Sequence, residues 1–174
     1  IQSVNSMTKV LIIGGGHAGA NTAYALRKDG FDGEITIISD EGYLPYHRPP
    51  LSKDFLKQNM AIEKLSFKPS NFYEEQNISI NLNTRISAID LELSHAKAKD
   101  NLFDFDYLVF ATGASPRLLP MENADAKNLF YLRQITDVLS IHESIGSAKN
   151  IVLIGGGYIG LEVASAMIEL GLNV

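Results

Sequence analysis

The stretch Lys9–Gly30, KVLIIGGGHAGANTAYALRKDG, decides the fold. Val10 to Ile13 is short and wholly apolar, as expected of a parallel strand covered on both faces. Gly14-x-Gly16-x-x-Gly19 follows at once and opens a helical pattern. Each glycine has a mechanical reason: the first makes the tight turn, the second lets backbone approach a pyrophosphate, and the third lets helix and strand pack closely. Ala23 keeps the same helix face small, and the helix N-terminus favours an anionic phosphate. His17 and Ala18 lie inside the turn and count with it, although the His17 side chain reads as a partly exposed polar group. Glu34 to Ser39, EITIIS, is the expected second strand, completing a βαβ unit of about 30 residues. An acid belongs at its end to bind a ribose hydroxyl pair. Asp40, directly after the strand, is preferred, and side-chain alternation leaves Glu41 open.

The same pattern returns at Asn150–Gly171, NIVLIGGGYIGLEVASAMIELG, offset by 141 residues. Eight of 18 positions from Ile13 to Gly30 are identical in the second copy, too long an offset for a solenoid. The reading is two nucleotide-binding units. Ile151 to Ile154 is the expected strand of the second, and Gly155, Gly157, Tyr158, Ile159 and Gly160 form its turn, with Ala164 the small helix residue. Two fingerprints imply two dinucleotides, one held flavin and one exchanging nicotinamide. The acid that separates NADH from NADPH would lie past Val174.

Between the copies, the three prolines of DEGYLPYHRPPLS (40–52) mark a loop, and Pro49-Pro50 bar a helix before Leu51. A short helix is expected from Leu51 or Ser52, another from Pro69 to about Gln76, and a longer one over Thr136–Ile145. Residues 78–110 alternate as β segments with a hairpin near Asp100-Asn101, ending in a buried strand over Leu108–Ala111. Pro116 to Asp125 reads as a linker. The fold class is therefore α/β: a Rossmann-like, three-layer parallel-sheet domain with a β-hairpin insertion over 7–117, then the start of a second Rossmann-like domain over 118–174. Ile1 to Ser6 precede Met7 without periodicity and read as an appended remnant. The last residues, with Gly171 closing a helix before Leu172, read as a strand about to begin in a longer protein.

Composition narrows the class. The chain is 174 residues, 45% hydrophobic and 20% charged, with net charge −5 and 15 scattered basic residues, which argues against a nucleic-acid partner. It has no apolar run long enough to span a bilayer. There is no cysteine, which excludes thiol chemistry and Cys-ligated metal and fits a reducing, cytoplasmic setting. His95 and His142 read as solvated, and no metal site is expected. Tyr43 and Tyr46 read as covering a core edge beside the loop.

Four motifs in order carry a resemblance: the first glycine turn, YLPYHRPPLSK (43–53), ATGASPR (111–117) and GGGYIGLEVA (155–164). Together they resemble the FAD-dependent pyridine nucleotide-disulfide oxidoreductase superfamily, in its ferredoxin/rubredoxin reductase-like branch, from about Lys9 to the end. The resemblance implies FAD on the first unit and NADH or NADPH on the second, with electrons passed to a ferredoxin- or rubredoxin-type carrier. It places Arg48 near the FAD phosphates and Lys53 beneath the flavin, paired with Glu162. Ala111, Thr112 and Gly113 are implied to lie against FAD, the Arg85-Ile86 strand against adenine, and Arg117 and Arg133 near the flavin or its approaches. A cation at the flavin edge would favour the anionic reduced ring, and a carboxylate beside it would hold that Lys, so the two are expected buried together. The superfamily's redox disulfide would fall within Pro49–Lys53, or a single Cys near Gly42–Pro45, and neither stretch has one. Asn101 and Asn123 stand where relatives carry Gly, implying altered turns. Two alternatives stay open under the same resemblance: an NADH oxidase or other small-acceptor reductase, and a signalling flavoprotein like apoptosis-inducing factor. The resemblance also implies that residues 1–174 alone bind FAD poorly and are inactive.

Overall fold

In the computed structural model, residues 7–120, 122 and 126–174 are described; the remnant expected at 1–6 and the altered turn expected at Asn123 lie outside them. The chain forms two units, one of residues up to 46 with 66–113, the other of 47–65 with 114–174.

In the first unit, β1 (Lys9–Ile13) lies between β2 (Glu34–Ile38) and β7 (Tyr107–Phe110), and β3 (Ile78–Asn81) flanks β2, giving a parallel sheet of order β3-β2-β1-β7. Val10 pairs with Ile35 and Ile12 with Ile37, so side chains of one parity share a face. On one face Val10, Ile12, Ile35, Ile37 and Ile78 pack with Ala23 of α1 (His17–Lys28) and Tyr73 of α2 (Ser70–Glu75). On the other, Leu11 and Ile38 pack against Phe105, which follows β6, and against Ala96 of an antiparallel sheet, β4 (Ala88–Asp90), β5 (His95–Ala98) and β6 (Asn101–Asp104). Covering both faces explains why β1 and β2 are apolar almost throughout. Arg27 anchors the end of α1, its guanidinium donating to the carbonyls of Gln76, Phe31, Gly33 and Asn77 at 2.7–2.8 Å.

Three expectations in this unit need correction. The strand ending in Phe110 is not buried: Tyr107 is 64% and Phe110 66% exposed, because β7 is an edge strand with one neighbour among the described residues. Arg85-Ile86 is not a strand; it is unpaired backbone between β3 and β4. The hairpin turns one residue earlier than expected, at Lys99-Asp100, with Lys99 at φ 51° and Asn101 already in β6.

The second unit holds two 3-10 turns, Pro49–Ser52 and Ile62–Leu65, and two helices, α3 (Ile135–Ile145) and α4 (Tyr158–Glu169). Leu51, Phe55, Leu56, Leu65, Ile135, Val138, Val163, Ala166, Met167 and Leu172 are its buried apolar residues among the described ones. The proline pair does not exclude a helix before Leu51. Pro49 and Pro50 instead open the first 3-10 turn, where a missing N–H costs nothing, and the chain beyond Ser52 continues as turns. Ile151–Ile154 forms no strand either. Its ladder is reduced to a parallel bridge between Asn150 and Asn173, and Val152 is 85% exposed, since no strand borders it among the described residues. The described part of the 116–125 linker has no helix or strand. No helix among the described residues is long and apolar enough to cross a membrane.

Candidate functional site

The two glycine turns have the same geometry. Gly14 has φ 120° and Gly155 φ 111°, and each is followed by a 12-residue helix whose N-cap is a glycine, Gly16 or Gly157, in extended conformation. Neither helix has a capping side chain or an acid in its first turn, so the helix dipole at each N-terminus is not offset by a protein carboxylate there. A Cβ at Gly19 would lie 2.0 Å from the Gly14 carbonyl oxygen, and at Gly160 it would lie 2.2 Å from that of Gly155. The third glycine thus permits the helix to pack on its own turn. A Cβ at Gly16 would meet nothing within 4 Å, leaving open space at the N-terminal end of α1.

In the first unit the ATG segment meets this turn. Ala111 N–H donates to Ile13 O at 2.8 Å, and a Gly14 Cβ would fall 2.1 Å from Ala111 O. Thr112 and Gly113 are exposed beyond it, with Gly113 at φ 67°. His17 and Ala18 are exposed at the start of α1, the His17 ring standing edge-on to Phe67 at 4.3 Å. The two candidate acids have separate partners: Asp40 pairs with Arg85 at 3.1 Å in an exposed bridge, while Glu41 accepts from the buried Tyr46 hydroxyl at 2.5 Å. Backbone bonds from Asn83 N–H to Glu41 O and from Thr84 N–H to Ser39 O hold this end of β2 against the chain leaving β3. Ile86 packs at the edge of the Leu11–Phe105 cluster.

In the second unit Lys53 and Glu162 come together, 109 residues apart in sequence, with Nζ 3.1 Å from Oε1. The pair is not buried as expected: the side chains are 50% and 34% exposed, so burial does not compel the pairing. A third group, not singled out in the sequence, joins them. The Ser52 hydroxyl, in a residue only 5% exposed, donates to Glu162 Oε2 at 2.5 Å. Ser52 thus takes one carboxylate oxygen and Lys53, its neighbour in sequence, takes the other. The Ser52 bond, then the Lys53 bond, hold the Glu162 carboxyl below its usual pKa. The signal was present in Ser52-Lys53 adjacency, but a serine in a proline turn reads as an ordinary capping residue.

Arg48 donates to the backbone oxygen of Arg133 at 2.8 Å, bringing two of the predicted arginines together. Arg117 is exposed. Gly155 and Gly157 line the second turn, with Tyr158 90% and Ile159 56% exposed beside it. His95 and His142 are not simply solvated: His95 Nδ1 lies 2.9 Å from Asp104, and His142 Nε2 lies 3.0 Å from Leu56 O.

The family model for pyridine nucleotide-disulphide oxidoreductases matches residues 8–174. Rubredoxin-NAD(+) reductase of Pseudomonas putida is 42% identical over 166 residues, 95% of this chain and 43% of that protein. Rhodocoxin reductase of Rhodococcus erythropolis is 38% identical over 95% of this chain and 39% of its own length. The solved covalent complex of putidaredoxin reductase with putidaredoxin aligns with TM-score 0.90 and 37% identity, over 97% of this chain and 41% of that one. The chain thus spans about two fifths of the relatives it matches. With the match running through both glycine turns and the fold between them, this chain belongs to the pyridine nucleotide-disulphide oxidoreductase family.

Proposed function

We propose that this chain is the N-terminal part of an FAD-dependent NAD(P)H reductase that delivers electrons to an iron–sulfur carrier of the ferredoxin or rubredoxin type. The observation that carries it is the duplicated glycine turn, two matched sites for dinucleotide phosphates in one chain. Residues 7–117 are assigned to FAD and 118–174 to the opening of the nicotinamide domain. FAD, when bound, supplies the conversion of a two-electron hydride donor into single electrons.

The chain's own residues do the rest. Gly14, Gly16 and Gly19 give the FAD pyrophosphate its backbone seat, with Ala18 and Thr112 beside it. Asp40 or Glu41 takes the adenosine ribose, Arg85 and Ile86 flank the adenine, and Arg48, Arg117 and Arg133 serve the phosphates and the flavin approaches. Gly155, Gly157 and Gly160 seat the nicotinamide dinucleotide. Lys53 holds positive charge at the flavin edge, and Glu162 fixes that ammonium and accepts from the nicotinamide carboxamide. The chain has no cysteine to relay electrons, which supports direct transfer to an outside carrier. We place the protein in the cytoplasm. Support for the acceptor comes from relatives that are rubredoxin, rhodocoxin and putidaredoxin reductases by name.

The test is an anaerobic visible titration of the purified flavoprotein with NADH and then NADPH, followed by oxidised ferredoxin or rubredoxin. Bleaching of flavin bands by a pyridine nucleotide, and their return with the iron–sulfur protein, is the expected result. Return only with oxygen or another small acceptor would replace the carrier with that acceptor, and a protein that binds no flavin would overturn the reading.

A further inference from the structure

We propose that Ser52 is a positioning residue for the Lys53–Glu162 pair, its hydroxyl fixing one carboxylate oxygen so that the other is presented to the Lys53 ammonium. The inference deepens the proposed reaction and rests on it for the role of the pair.

A serine hydroxyl carries one proton, and two acceptors lie near it: Glu162 Oε2 at 2.5 Å and Pro49 O at 3.3 Å. The shorter contact lies in the range of charge-assisted O–H···O⁻ bonds, so the proton goes to the carboxylate. Lys53 alone would not fix Glu162. It is a flexible four-carbon side chain, half-exposed, and a pair of that kind is screened and mobile. The terminal torsion of Glu is also broad, leaving the carboxylate plane free to turn. Ser52 is the opposite kind of group, short and 5% exposed. Its backbone is set by the 3-10 turn, in which Pro49 and Pro50 restrict φ and the N–H groups of Leu51 and Lys53 bond to Arg48 O and Pro50 O at 2.9 and 3.0 Å.

Consecutive residues therefore grip both oxygens of one carboxylate, and the rigid member sets its plane. The electrostatics agree: the Ser52 bond is the leading cause of the lowered Glu162 pKa, ahead of Lys53. Among the described residues, Lys53 is the charged group paired with that carboxylate. Farther along α4, Glu169 is engaged by Lys57, which also meets Asp54.

The test uses the flavoprotein with Ser52→Ala, Ser52→Thr and Ser52→Cys. Carboxyl-labelled glutamate is followed by 13C NMR, with the Glu162 resonance assigned by Glu162→Gln. Flavin reduction by saturating NADH is followed anaerobically across pH. With Ser52→Ala the Glu162 midpoint should rise and the limiting reduction rate fall about tenfold, the worth of one hydrogen bond to a charged group. Its acid limb should move up in pH, with flavin content unchanged. Ser52→Thr, which keeps the hydroxyl, should restore both. Ser52→Cys, nearly isosteric and a weak donor, should behave like alanine and stands in for it if alanine does not fold. A Glu162 midpoint unmoved by Ser52→Ala or Ser52→Cys overturns the proposal. A moved midpoint with an unchanged reduction rate instead overturns the pair's role in the reaction, and a wild-type protein that NAD(P)H does not reduce overturns the proposed function.

Discussion

Alanine at three glycines of the first unit separates backbone strain, steric overlap and ligand space. Gly14 has φ 120°, and its added Cβ would fall 2.1 Å from Ala111 O, where ordinary contact begins at 3.4 Å. Something must move by about 1.3 Å, the difference of those distances. The Ala111 peptide is poorly placed to yield, because its N–H is bonded to Ile13 and the preceding residue is in register with β1. Gly30 has φ 86° but nothing within 4 Å of an added Cβ, so it carries the backbone penalty alone. Gly16 carries neither, with φ −82° and open space. The left-handed backbone costs about 1–2 kcal/mol, and overpacking against fixed atoms costs about 1–3 more. The expected losses are therefore about 1–2 kcal/mol for Gly30→Ala, about 2–5 for Gly14→Ala and under about 0.5 for Gly16→Ala. Urea unfolding followed by far-UV circular dichroism and tyrosine fluorescence measures all three in one unit. Gly16→Ala should show its effect in flavin affinity instead, read by flavin release on dilution. Equal midpoints for Gly14→Ala and Gly30→Ala would refute the steric argument, and a Gly16→Ala protein as unstable as Gly14→Ala would refute the assignment of that space to a ligand.

Other expectations follow from single contacts. Arg27→Met leaves four carbonyls of the first unit without their charged donor and should cost about 2–4 kcal/mol in urea unfolding, since bonds to a charged group are worth about 1.5–3 each and do not add; a loss below about 1 would show water replacing them. The Lys57 ammonium is held above its ordinary 10.5 by its bond to Glu169 first. Its stabilisation is then full below pH 10.5 and is lost as pH rises through the folded value, so Lys57→Met should flatten that part of the thermal midpoint profile and leave the rest parallel. The buried Tyr73 hydroxyl has no partner among the described residues, and burial raises its pKa. Tyr73→Phe should therefore be neutral or stabilising by up to about 1 kcal/mol, and a clear loss in calorimetry would mean that the hydroxyl is bonded.

What the sequence disclosed depended on the range of the interaction. Helix α1 and the first two strands follow from the run Val10–Ile13, the glycine spacing and EITIIS, which are local patterns with one satisfactory burial. The Lys53–Glu162 pair was legible through motif order, although spacing alone would not have joined residues 109 apart. Ser52 was not legible, because its role depends on a partner 110 positions away and a serine after two prolines has a sufficient local explanation. The exposure of the pair was not legible for a related reason: composition says that charges avoid burial without a partner, but it does not say whether a paired charge is buried at all.

The duplicated segment makes the distinction between local and nonlocal encoding sharper. Both copies reproduce the turn, with φ of 120° and 111°, and both start and end a 12-residue helix at positions 141 apart. Only the first copy has its strand. An apolar run becomes a parallel strand when neighbours supply the ladder, and β1 is hydrogen-bonded on both sides by β2 and β7. The second run, of the same kind, meets a single bridge at Asn173 and leaves Val152 and Ile154 exposed. The glycine probes tell the same story: a Cβ at Gly14 would strike Ala111 and at Gly15 would lie 2.9 Å from Ser39, while Gly155 and Gly156 have nothing within 4 Å. The glycine turn is thus a property of its own dozen residues, set by glycine conformations and helix initiation. The strand that precedes it is a property of the sheet around it. Functional geometry at the turn can therefore be read from a short stretch of sequence even where the surrounding fold cannot.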